Sequence, residues 1–77
     1  MAWQQSIHEV RRAQLRANQA ELSREWHMAT HNYLYCLEQA HAAHDLRAVR
    51  YFAGKLSLAY RAMGFISKAS YYRSLAG

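Results

Sequence analysis

Apolar positions recur at steps of three and four along most of the chain and nowhere alternate strictly with polar ones. The pattern predicts helices and no strands. The clearest stripe is Leu22, Trp26, Ala29, Tyr33, Cys36, Leu37, Ala40 and Ala43, one face of a helix over about 23–44. Asp45 then stands where an N-cap is wanted. Leu46, Val49, Phe52, Ala53, Leu56, Tyr60 and Met63 form the inner stripe of a helix at about 46–63. Gly64 is placed to end that helix in the left-handed conformation. Phe65, Ala69, Tyr72 and Ala76 lie along one side of a last helix, about 66–76.

The first segment, about 3–22, is less regular: Trp3, Ile7, Val10 and Ala17 share a side that Gln14 interrupts. It reads as a docked helix or a looser arm. Neither proline nor glycine occurs before Gly54. Ser23 could therefore cap a second helix, or the chain could run on unbroken from residue 3. The expected fold is an all-α bundle of three to four helices ending in a helical hairpin, one domain over 1–77.

Dimensions sharpen the picture. An unbroken helix to His44 would be roughly 65 Å long, whereas a compact chain of this length has a radius of gyration of about 11–12 Å. Either the rod breaks near Ser23 or a second copy covers it. Tyr51 and Leu58 also lie opposite the Val49/Leu56/Tyr60 stripe, and a helix apolar on two sides is usually sandwiched. Both points predict a homodimer.

Composition excludes several classes. With 77 residues, 52% of them apolar or aromatic by the AVILMFWYC count, the chain is too short for two domains and too apolar for a disordered tail. No apolar run approaches the length of a membrane span. The single cysteine, Cys36, and the lack of a basic-then-apolar leader give the expectation of a reduced, cytoplasmic protein. Ten Lys and Arg against five Asp and Glu leave a formal charge of +5. Most of the cations are arginines, which suit carboxylate and phosphate recognition.

Candidate chemistry is sparse. His27 and His31 sit at i and i+4, a spacing that can hold one metal ion, on a face shared with Glu38 and His41. The plainer reading is a solvated face opposite the core stripe, because no third ligand lies near the pair. Cys36 falls on the core stripe, where a thiol is inert. No nucleophile elbow, P-loop or catalytic triad is present. No catalytic residue, enzymatic activity or cofactor is expected.

The basic face is more informative. Arg47, Arg50 and Arg61 share the outer side of the 46–63 helix with Tyr51 and Leu58, and Tyr and Arg dominate protein interfaces. These five are the candidate contacts for a protein partner. Lys68 and Arg73 follow on the last helix.

Residues 53–76 resemble one tetratricopeptide repeat. Leu56, Ser57, Ala59, Tyr60, Gly64, Ala69 and Ala76 match that family's spacing. The resemblance implies a knob at Tyr60, a turn at Gly64 and close helix approach at Ala69. Phe65 departs where an acidic residue is common, and Arg73 where an aromatic is expected. One such unit implies a repeat-like hairpin, not a solenoid. The same stretch also resembles the helix-turn-helix of Fis-type DNA-binding proteins through Gly54, Ala59, Met63, Gly64 and Ile66–Leu75. That likeness implies a DNA-binding dimer with Ser67, Lys68, Tyr71 and Arg73 facing the major groove. Phe65 adds a residue to that turn, and Tyr60 stands where the motif needs a small one. The leading expectation is a protein-binding homodimer, of a size that suits a bacterial or phage accessory protein; the DNA-binding dimer is the alternative.

Overall fold

The computed structural model describes residues 2–77, with side chains from residue 7 onward. The Trp3 side chain lies outside the described residues. The fold is all-α: α1 (Ala2–Leu22), α2 (Trp26–Ala42), α3 (Leu46–Ala62) and α4 (Ile66–Ala76). The first two helices are separate.

Three turns of one design join them, twenty residues apart. Arg24, His44 and Gly64 each have φ near the left-handed region, at 59°, 56° and 85°. Each turn closes with two backbone hydrogen bonds that satisfy the last carbonyls of the helix before it. The Glu25 N–H donates to the Ala20 carbonyl at 2.8 Å and the Arg24 N–H to Glu21 at 3.0 Å. The same pair recurs as Asp45 to Ala40 and His44 to His41, and as Phe65 to Tyr60 and Gly64 to Arg61. The residue after each left-handed position is the N-cap of the next helix. Of these only Asp45 caps with its side chain, accepting from the Ala48 N–H at 3.1 Å. Ser23 is therefore no cap; Glu25 holds that place.

Five residues into each following segment a small or branched residue is buried: Ala29, Val49 and Ala69. The two hairpins correspond at an offset of forty residues, with Ala17, Ala20, Ala29, Tyr33 and Cys36 matching Ser57, Tyr60, Ala69, Arg73 and Ala76. The aromatic that Arg73 replaces in the second hairpin is Tyr33 in the first.

The helices pack in chain order, α1 on α2, α2 on α3 and α3 on α4. The result is a shallow slab of 38 × 26 × 13 Å. Its accessible surface of 5471 Å² exceeds the ~4,900 Å² that surface scaling gives a monomer of 9.0 kDa. α2 is covered from both sides, and its buried arc even includes Thr30 and Asn32. Both are tolerated because they hydrogen-bond their own helix, Thr30 Oγ1 to the His27 carbonyl at 3.0 Å and Asn32 Nδ2 to that of Met28 at 2.9 Å.

The core centres on Tyr33, Phe52, Leu56 and Tyr60, with alanines at the close approaches. Two stripe assignments need correction. Leu22 is 86% exposed and Leu46 65% exposed. Each stands at a helix end, where the periodicity continues past the reach of the neighbouring helix. Phe65, also expected inward, is exposed, yet its ring meets Tyr60 edge-on at 6.3 Å. That contact joins the residues flanking the turn hydrogen bond, a frequent partner of this turn type.

Candidate interaction surfaces

α3 presents one face to the core and one to solvent. On the outer face Arg47, Arg50 and Arg61 are exposed, with Tyr51 46% and Leu58 60% exposed among them. Tyr51 is braced by the edge of Phe52, ring centroids 5.3 Å apart, and by the Lys55 ammonium 5.9 Å from its ring. Among the described residues the ion pair is Lys55 with Glu21 at 3.6 Å, so the three arginines of this face have no carboxylate partner.

The structure unites one residue from each sequence-derived site. Arg61 and Arg73 both line a small groove of about 170 Å³ between α3 and α4, above Ser57, Ala69 and Ser70. The Ser57 hydroxyl donates to the Ala69 carbonyl at 2.9 Å, and a Cβ on Gly54 would stand 3.9 Å from that of Ala76. These pairings run in opposite senses along the two helices, so α4 lies antiparallel along α3. The other members of the second candidate set do not share the Arg73 groove. Lys68 folds over the aromatic cluster, its ammonium 5.3 Å from the Tyr60 ring and 5.5 Å from Phe65. Tyr60 in turn stacks on Tyr72 at 5.5 Å. Tyr71 is exposed and touches Tyr72 edge-on, and Ser67 is exposed beside it.

His27 and His31 are exposed on α2. Among the described residues no group of three His, Cys, Asp or Glu could hold a metal ion. Instead both histidines border a groove of about 790 Å³ at the end of the slab that carries the first and third turns. Trp26, Met28, Met63 and Phe65 make it apolar, and Arg24 and Glu25 stand at its edge. Sequence reading missed this site because its parts come from two turns forty residues apart. Glu38 lines a different groove, of about 620 Å³, between α1 and α2.

Cys36 is fully buried, and its Sγ lies 3.5 Å from the Val10 carbonyl, which it meets as donor. Burial pushes the thiol up to about 11. Tyr33 is also fully buried; its hydroxyl donates to a Glu21 carboxylate oxygen at 2.6 Å and lies 2.8 Å from the Asn18 amide oxygen. Glu21 also holds Lys55, so one polar cluster ties α1, α2 and α3 together. No helix among the described residues is long and apolar enough to cross a membrane. No family model, curated protein or solved structure compared with the chain matches it.

Proposed function

We propose that the chain is a small, basic, non-enzymatic helical interaction module that acts as a homodimer and binds a protein partner through the outer face of α3. One observation carries the reading: Tyr51 and Leu58 stay in solvent between three arginines that no carboxylate neutralises. An aromatic and an aliphatic side chain framed by arginines is the composition of an interface centre. The slab geometry supports the need for a cover, since its helices bury one another in sequence and leave outer faces open. The repeated turns support two repeat-like hairpins in tandem. The antiparallel run of α4 along α3 favours this hairpin over the crossed helices of a helix-turn-helix. With a lone free thiol, the cytoplasm is the setting we favour.

The test is capture of a partner from extracts of the source organism by the wild-type chain and by Leu58→Asp and Arg61→Glu. A specific protein held by the wild type and lost from both variants, with helical content unchanged, supports the reading. Retention by both variants overturns it. Salt-sensitive binding to duplex DNA that Lys68→Ala and Arg73→Ala abolish would replace it with the DNA-binding alternative.

A further inference from the structure

A homodimer of this chain has to choose a face, and charge decides against the one assigned to the partner. A two-fold interface sets the same patch against itself. On the outer face of α3 that would bring the cluster of Arg47, Arg50 and Arg61 against the same cluster of the second copy, and none of the three has a carboxylate partner among the described residues. Like charges so placed oppose association. The end groove has the opposite character. Its walls are Trp26, Met28, Met63 and Phe65 with His27 and His31 beside them, and its lining carries one formal cation and one anion, Arg24 and Glu25, on adjacent residues. Neither has an ion-pair partner among the described residues. A patch with one charge of each sign at its rim is complementary to itself, because a two-fold axis can set each Arg24 against Glu25 of the second copy. Leu22 and Ile66, both exposed, stand at the same end of the slab, since the helices alternate in direction.

We infer that the chain dimerises through this end groove, its occupant being the same groove of a second copy, with Arg24 and Glu25 paired reciprocally across the axis. The inference rests on the homodimer reading above and adds the face. It leaves the arginine face of α3 free, so a dimer offers two such faces to partners.

The experiment is sedimentation velocity of the full chain at micromolar concentration, with helical content followed by circular dichroism. Met28→Glu puts a charge into the groove at a half-exposed position, and is expected to weaken the dimer by about tenfold or more. Leu15→Glu, at an exposed apolar position on α1, serves as the control and leaves the dimer intact. Arg24→Glu and Glu25→Arg should each weaken self-association, and an equimolar mixture of the two should restore a dimer, because their rims are then opposite in sign. That rescue cannot arise from damage to the fold. A dimer that survives Met28→Glu and both charge variants, or that Leu58→Glu dissociates instead, overturns the face and leaves the homodimer standing. A wild-type monomer across the concentration range overturns both.

Discussion

Removing one oxygen from the core tests how the helices are locked together. Tyr33→Phe keeps the fully buried ring against Phe52, whose centroid is 6.5 Å away, and deletes only the hydroxyl. That hydroxyl donates to the Glu21 carboxylate at 2.6 Å. A hydrogen bond to a charged group contributes about 1.5–3 kcal/mol. Glu21 is not sealed: its side chain is 32% exposed and Lys55 lies 3.6 Å away, so water and the ammonium compensate in part. The expected loss is therefore ~1–2 kcal/mol. At ~2.1 cal/mol/K of unfolding entropy per residue, 77 residues convert this to a fall in Tm of about 6–12 °C. Urea unfolding of the wild type, Tyr33→Phe, Glu21→Ala and the double variant measures the coupling directly, with about 1 kcal/mol expected. A Tyr33→Phe protein within ~0.3 kcal/mol of wild type, or a coupling near zero, would refute the claim that this cluster holds α1 to α2.

Other consequences are equally open to measurement. Gly64→Ala meets no steric obstacle within 4 Å, so its cost is the positive φ of 85° alone, about 1 kcal/mol by thermal unfolding. His44→Gly, at a φ of 56°, should stabilise by about 0.5 kcal/mol, the relief being partly offset by a freer unfolded chain. Cys36, with its thiol at about 11, should react with thiol reagents only through opening of the fold, at a rate that rises with urea. Alkali should unfold the protein. Burial raises the Cys36 thiol and, with the Glu21 bond, the Tyr33 hydroxyl, so both groups hold their protons more tightly when folded. The stability they contribute is whole below about pH 8.5 and drains as the unfolded chain loses protons first, through ~8.5 for Cys and ~10 for Tyr. Tm should be flat near neutral pH and fall above about pH 9, less steeply in Cys36→Ala; a Tm that held steady to pH 11 would contradict this.

Much of the fold is legible in the sequence where a residue has one physical use. Asp45 caps α3 and Gly64 ends it in the left-handed conformation because those residue types favour those geometries. The inner stripes of α2 and α3 hold at Ala29, Tyr33, Cys36, Leu56 and Tyr60. The first turn is hidden because Arg24 carries no turn preference; the backbone hydrogen bonds impose φ there. The twenty-residue repeat escapes notice because few identities recur at that spacing, among them Ala20 with Ala40 and Tyr51 with Tyr71, and the turn positions Arg24, His44 and Gly64 share no residue type. Leu22 and Leu46 mislead because periodicity does not reveal where a neighbouring helix stops. The outer arginines and Tyr51 can be placed from helical spacing alone. The end groove cannot, since it exists only when turns distant in sequence are brought to one end.

Sedimentation equilibrium of the wild-type chain bears most directly on the claim that this slab requires a cover. A species of twice the 9.0 kDa chain mass at micromolar concentration is the expected result. A single 9.0 kDa species that persists as concentration rises would contradict it.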